Sequence, residues 1–322
     1  MSLLAEAGAA DHVMALSMLG GQLVSGRGVA PDVPAGLTLI RRAAELGGAY
    51  AWAVLAVVSA FGLGRPPDWP SALDQLQRSA ELGYDSARNQ LRLLAGAFGG
   101  AAPAAEDWAG SRRGVDLQAW RSPPPGEIVS SDPLIRIVRG FAPPEACGWL
   151  ISRVRDRLQP APVFDTAALR PAHSQDRTNS AAGFTLIDAD LVVMLLRERL
   201  AAAAGLQVGA MEAPQVFHYA VGQTFAPHFD FLDPDYPGHA RSLAEGGQRV
   251  ATLLVYLNDA YEGGETDFLE LGLKHRGGPG DALMFWNVDA AGAPDRRMFH
   301  AGAPPTKGEK WLLSQWVRER AR

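Results

Sequence analysis

The run Pro227-His228-Phe229-Asp230 places an imidazole and a carboxylate two residues apart. In a strand or its frayed end, residues i and i+2 project from the same face, so His228 and Asp230 can address one point. Two imidazoles and one carboxylate on a single face of Fe(II) leave three coordination positions open, which suits a ferrous centre that must hold a co-substrate and O2 together. The pair supplies two of these three groups. His300 is the expected third, because it follows the apolar pair Met298-Phe299 and precedes the small-residue turn Ala301-Gly302-Ala303. Taken alone, His-x-Asp also describes solvated loop residues, so its surroundings decide. Lys310, beside Trp311 in a strand-like run ending at Trp316-Val317, could project inward and meet a carboxylate. Its alternative is a surface lysine next to Lys307 and Glu309. Tyr219, nine residues ahead of His228, could donate its hydroxyl to the same carboxylate or simply pack in the core.

The elements that must hold these groups are short strands. Leu134–Val138, Gln215–Tyr219, Arg249–Leu257, Ala282–Trp286 and Trp311–Val317 read as strands separated by Gly/Pro turns, which argues for an antiparallel barrel or jelly roll. Pro143-Pro144 opens a helix whose apolar stripe runs through Cys147, Leu150, Ile151, Val154 and Leu158, making Cys147 a core residue. A second helix is expected after Asp188, with Asp188 as its cap. His218 points away from Tyr219 in a regular strand and is left out of the metal site. His173, His239 and His275 are expected to be exposed, and Asp233 and Asp235 to be solvated loop acids. The segments Thr166–Ala182 and Asp233–Gly247 are polar and long enough to serve as lids over a peptide, or to be ordinary surface connections.

Ordered motifs then carry a resemblance. His218-Tyr219-x-x-Gly222-Gln223 leads into Pro227-His228-Phe229-Asp230. Gly246-Gly247-Gln248-Arg249-Val250-Ala251-Thr252-Leu253-Leu254-Val255-Tyr256-Leu257 and Gly263-Gly264-Glu265-Thr266-x-Phe268 follow. Gly280-Asp281-Ala282-Leu283-Met284-Phe285-Trp286, His300-Ala301-Gly302 and Gly308-Glu309-Lys310-Trp311 close the set. Residues 134–318 resemble the prolyl 4-hydroxylase branch of the Fe(II)/2-oxoglutarate dioxygenases. The resemblance implies a double-stranded β-helix, with Fe(II) ligands at His228, Asp230 and His300 and 2-oxoglutarate contacts at Lys310 and Tyr219. It also implies O2 as co-substrate and ascorbate as reductant. Arg177-Thr178-Asn179-x-x-x-Gly183-Phe184 resembles the family's substrate-side segment, which makes Arg177 a candidate substrate-binding residue; Asn179 stands where Ser is commoner. The presence of Asp230 favours hydroxylation, since related halogenases lack the carboxylate.

The first hundred residues repeat. An offset of 36 aligns Gly26 with Gly62, Pro31 with Pro67, Asp32 with Asp68, Pro34 with Pro70, Leu37 with Leu73 and Ala44-Glu45-Leu46-Gly47 with Ala80-Glu81-Leu82-Gly83. That period belongs to helical hairpins that stack to bury an apolar face none can bury alone. The pattern resembles Sel-like, tetratricopeptide-related repeats, which implies a scaffold for a protein partner; a packing module with no ligand is the alternative. Two units are few, so the array is expected to lean on the rest of the chain. The expected division is a repeat domain over 1–95, an Ala/Gly/Pro-rich linker over 96–130 and an oxygenase domain over 131–322, an α+β chain overall.

Composition narrows the function. A net charge of −5 provides no field to hold nucleic acid, and the single cysteine permits no internal disulfide. The nineteen uncharged residues from Leu46 to Gly64 could just cross a membrane, but they fall inside the repeat and read as a buried helix. The first Lys or Arg is Arg27, so the start lacks the basic region of a secretory signal, and a reducing, cytoplasmic setting is expected. The leading expectation is a dioxygenase that hydroxylates prolyl residues of a protein or peptide recruited by the repeats, without nucleic acid or membrane. The alternatives are hydroxylation of another side chain or a free amino acid, and a non-catalytic repeat scaffold with a metal-binding oxygenase fold.

Overall fold

The computed structural model describes residues 12–321 apart from 64, 101–103, 162, 166–169 and 173–174, with the backbone alone at 163–165 and 170–172. His173 lies outside the described residues, as does part of the segment Thr166–Ala182. The chain divides into two compact units: the residues up to Trp120 together with Phe184–Leu196, and Arg121–Gly183 together with Arg197–Arg322.

The first unit is built on α1 (Val13–Ser25), α2 (Val33–Glu45), α3 (Ala49–Phe61), α4 (Trp69–Glu81) and α5 (Asp85–Gly96). The repeated residues are those that start, stop and bury these helices. Asp32 and Asp68 are N-caps, accepting from Ala35 N at 3.0 Å and Ser71 N at 3.1 Å. Gly26 and Gly62 end α1 and α3 in the left-handed conformation, with φ of 67° and 71°. Leu37, Leu73, Ala44 and Ala80 are buried. Helix α3 is apolar nearly all round because it is enclosed by its neighbours, and no described helix is long and apolar enough to cross a membrane. Between α1 and α2 the backbones meet at glycines. A Cβ on Gly36 would stand 2.6 Å from the Gly20 carbonyl oxygen, and one on Gly20 would stand 2.7 Å from that of Gly36.

Two features depart from the expected boundaries. The stretch 96–130, read as a linker, carries α6 (Trp108–Arg113), α7 (Leu117–Arg121) and the strand β1 (Glu127–Ser131). Its small-residue composition concealed two anchors. Trp120 is fully buried and donates its indole N–H to Leu94 O, while Trp108 packs beneath the Arg92 guanidinium. Residues 184–196 also belong with the repeats and not with the strands around them in sequence. Leu186 and Ile187 pack on the repeat core, Leu191 N donates to Gln90 Oε1, and Asp188 pairs with Arg27 at 2.9 Å. Asp188 is therefore not the cap of the next helix. Asp190 is, accepting from Val193 N at 3.0 Å.

The second unit holds β1 and β2 (Leu134–Val138), α8 (Pro144–Val154), β3 (Gln159–Pro160), β4 (Val163–Asp165), β5 (Arg170–Ala172) and β6 (Ser180–Gly183). After α9 (Leu191–Ala204) come β7 (Gln215–Tyr219), β8 (Phe225–His228), α10 (Ala240–Gly246), β9 (Arg249–Tyr256), β10 (Tyr261–Gly263), β11 (Thr266–Phe268) and β12 (Leu273–His275). The chain ends with β13 (Ala282–Trp286), β14 (His300–Gly302), β15 (Pro305–Gly308) and β16 (Lys310–Arg318). An eight-stranded antiparallel sheet, β1-β2-β13-β9-β16-β7-β6-β3, faces a four-stranded one, β12-β11-β14-β8, as a double-stranded β-helix. Period-two alternation sends Ile135, Ile137, Phe217, Tyr219, Leu254, Tyr256, Leu283, Phe285, Leu312 and Trp316 into one core with Phe268 and Met298. The other face of the large sheet is buried too, and Cys147 of α8 lies there with its sulfur 3.9 Å from Tyr256 O. The segment Asp233–Gly247, read as a loop, contains a short 3-10 turn and α10.

Since a backbone carbonyl cannot rotate out of the way, Gly36→Ala is expected to destabilise the repeat helices by about 1–3 kcal/mol. Hydrogen exchange in α1 and α2, with a thermal melt, measures this; unchanged protection would mean that the helices slide apart at little cost.

Candidate active site

His228 closes β8, and His300 opens β14 directly opposite it in the ladder of the small sheet. Asp230 lies two residues beyond the end of β8 and turns back to the same side. Its Oδ1 stands 3.6 Å from His228 Nε2 and its Oδ2 stands 3.6 Å from His300 Nε2. One ligand atom from each of the three residues falls within 4.8 Å of the others. The small-residue turn expected after His300 is instead strand β14, and its pairing with β8 brings the second imidazole to the first.

Both imidazoles are pinned through their other nitrogen. His228 Nδ1 is 2.8 Å from Ala226 O and His300 Nδ1 is 2.9 Å from Met298 O. A carbonyl can only accept, so Nδ1 carries the proton in each ring and the Nε2 lone pairs face the shared point. Burial, reinforced by neighbouring His228, pushes His300 down to about 4 and keeps it neutral. Burial would raise Asp230, but the flanking imidazoles and the Thr252 hydroxyl outweigh it and hold the carboxylate well below its usual range. Two imidazoles and one carboxylate form the borderline-hard donor set that divalent iron accepts.

The same cavity is lined by His228, Asp230, His300, Tyr219, Thr266 and Lys310. Lys310 opens β16 opposite Tyr219 of β7 and is fully buried, so the surface-lysine alternative is excluded. Its ammonium donates to Gly264 O at 2.7 Å and lies 5.1 Å from the centre of the Tyr219 ring. Gly263 and Gly264, at φ of 70° and 69°, adopt a backbone that glycine tolerates and that turns this carbonyl inward. Desolvation lowers Lys310 to about 7. A buried cation bonded to a neutral carbonyl, in a cavity that also brings together two imidazoles and a carboxylate able to hold a metal, fits a dianionic chelator, with one end at the metal and one carboxylate at Lys310.

Arg177 is nine-tenths buried, its guanidinium 4.3 Å from the centre of the Phe225 ring and 4.8 Å from that of Phe217. The opposite neighbour of Phe225 is His228, stacked on it at 3.5 Å and 12°. Arg177 therefore packs against a ring that supports a ligand residue. His218 faces away from the cavity as expected, 2.9 Å from Glu309 Oε2. Two histidines expected to be exposed are not. His275 is buried with its ring edge-on to Tyr256, and His239 is half-buried against Tyr236. Asp235 is exposed, and Asp233 shapes its own turn by accepting from Asp235 N. The residues missed in the sequence are Phe225, Thr252 and Asn287. Phe225 sits three residues before His228 and Thr252 at an inward position of β9, but nothing in their types announces a polar or stacking role.

A family model described as the 2OG-Fe(II) oxygenase superfamily matches residues 214–318. Prolyl 4-hydroxylase 1 of Arabidopsis thaliana is 32% identical over 209 residues, which cover 61% of this chain and 72% of that one. Prolyl 4-hydroxylase subunit alpha-1 of Rattus norvegicus is 34% identical over 192 residues, 60% of this chain and 33% of its own. Among solved structures, the viral collagen prolyl hydroxylase of Paramecium Bursaria Chlorella virus-1, in its 2OG complex, is 26% identical. That comparison has a TM-score of 0.44 and covers 57% of this chain and 95% of that one. With close to one residue in three shared across most of a plant relative's length, this chain belongs to the prolyl 4-hydroxylase family of 2OG-Fe(II) oxygenases.

Proposed function

We propose that this protein hydroxylates prolyl residues in a protein or peptide, using Fe(II) held by His228, Asp230 and His300 and 2-oxoglutarate anchored by Lys310. The observation that carries the reading is the convergence of two imidazoles and an ionised carboxylate in the cavity that also holds a buried lysine. When bound, Fe(II) with 2-oxoglutarate and O2 supplies the oxidation, in which the co-substrate becomes succinate and CO2 and one oxygen atom enters a substrate C–H bond.

The chain's own residues bind, orient and shield. The carbonyls of Ala226 and Met298 fix the tautomers of His228 and His300, while Phe225 stacks on the His228 ring and Phe285 meets the His300 ring at 67°, which restrains both imidazoles. A bound 2-oxoglutarate would give Lys310 the counter-charge that burial leaves it short of, and Tyr219, whose ring centre lies 5.1 Å from the Lys310 ammonium in the cavity lining, would offer its hydroxyl to the same carboxylate. The lining of Phe217, Leu254, Leu312 and Trp316 keeps the surroundings apolar. Arg177, bridged to Phe225 of β8 and packed on its ring, is the residue assigned to the substrate side, and the helical repeats are assigned the choice of the protein that carries the prolyl residue.

Anaerobically prepared Fe(II) protein given 2-oxoglutarate, air and proline-containing peptides is expected to add one oxygen to the peptide by mass and to form succinate in step. Oxidation of free amino acids alone would contradict the peptide assignment. His300→Ala is expected to abolish turnover while His239→Ala largely retains it, and equal losses would displace the ligand assignment.

The lysine gives a pH dependence with a definite sign. In the free site Lys310 titrates at about 7, and a bound carboxylate raises it, so 2-oxoglutarate binding takes up a proton above that pH. Its KM is expected to rise about 20-fold between pH 6.5 and 8.5. A flat KM over that interval would show that Lys310 is not the carboxylate's partner.

A further inference from the structure

The carboxylate of Asp230 is the end of a buried chain of hydrogen bonds. Its Oδ2 accepts the Thr252 hydroxyl at 2.7 Å, and Thr252 Oγ1 lies 3.0 Å from Asn287 Nδ2. Thr252 is 1% exposed and Asn287 is completely buried. The direction of the chain follows from proton counting. An ionised carboxylate only accepts, so the single hydroxyl proton of Thr252 is committed to Asp230. Oγ1 must then accept from its other neighbour, which requires the amide NH2 of Asn287, not its carbonyl, to face the threonine.

That orientation has a cost. Asn287 Oδ1 is buried with no hydrogen-bond partner among the described residues. An unsatisfied buried acceptor is destabilising, so an apolar side chain of similar volume would serve stability better at this position. The main chain of Asn287 is nevertheless fixed from both sides, donating to Val250 O at 2.9 Å and accepting from Asp295 N at 3.0 Å. Thr252 is held opposite Phe285 in the β9–β13 ladder. The relay thus runs from rigid strands of the large sheet to a carboxylate that hangs just past the end of a strand in the small one.

We propose that Thr252 and Asn287 are positioning residues for the metal. They fix the plane of the Asp230 carboxylate and keep Oδ2 engaged, so that Asp230 presents Oδ1 as a one-oxygen ligand. A carboxylate free to rotate could grip with both oxygens and occupy one of the three positions that a chelating co-substrate and O2 require. Groups that orient a metal ligand in this way typically carry about 10- to 100-fold in metal affinity. The inference rests on the reading of Asp230 as a metal ligand and adds what makes its geometry single-valued.

The test is Mn(II) binding by the full-length, metal-free protein, read from the electron paramagnetic resonance signal of the free ion, with thermal melts on the same samples. Thr252→Val is expected to weaken binding about 10- to 100-fold, and Thr252→Ser, which keeps the hydroxyl, to restore it to within about threefold. Asn287→Leu is expected to weaken binding about 5- to 10-fold without lowering the melting temperature, because it removes the orphaned acceptor with the donor. If Thr252→Val folds poorly, Asn287→Leu alone decides the matter. Wild-type affinity in Asn287→Leu, or a loss in Thr252→Val that serine does not repair, overturns the proposal. If the unaltered protein takes up no Mn(II) while His300→Ala behaves identically, the metal-centre reading fails and this proposal falls with it.

Discussion

A carboxylate kept ionised where water is scarce is the constraint around which the second unit is arranged. Asp230 is 6% exposed, and a bare charge at that depth would protonate or draw in solvent. It does neither because three groups from different elements stabilise it: an imidazole from the end of β8, an imidazole from β14 and a hydroxyl from β9. The neutral state of His300 matters as much as the charge of Asp230, since a protonated ring would close an ion pair and leave no lone pair for a metal. Two sheets are needed for this, because no single strand can bring a residue and its cross-strand partner against a third from the facing layer.

At Lys310 the problem is reversed. A cation is buried with no ion-pair partner within 4 Å among the described residues, and desolvation weakens its charge more than the nearby Glu265 carboxylate supports it. A metal-ligand set and a buried cation at different points of one cavity suit a ligand that is a metal chelator at one end and a carboxylate at the other. Tandem glycines at positive φ bring a backbone carbonyl to the lysine, and a Cβ on Gly264 would stand 2.9 Å from the Tyr261 ring.

Much of this was legible from residue order. The runs that become β9 and β16 were recognisable as strands from their apolar residues and flanking turns, and the two-residue spacing of His228 and Asp230 predicted their convergence. His300 was legible as a residue but not as part of a strand, because Ala301-Gly302-Ala303 has the composition of a turn and becomes a strand only through pairing with β8 and β11. His275 carries no apolar pattern strong enough to foretell burial; the ladder with Thr266 places it inside. Trp120 shows why 96–130 was misread, since one buried indole outweighs a run of small residues. In the repeats, the positions shared at an offset of 36 were caps and core residues, so their structure was the most readable of all. The packing of residues 184–196 on that unit depends on partners more than ninety positions away and leaves no local signature.

Anomalous diffraction from crystals grown anaerobically with Fe(II), recorded on either side of the iron absorption edge, addresses the metal centre most directly. A single strong peak is expected within bonding distance of His228 Nε2, His300 Nε2 and one oxygen of Asp230. A peak elsewhere, or none between these three side chains in protein that has bound iron, would contradict it.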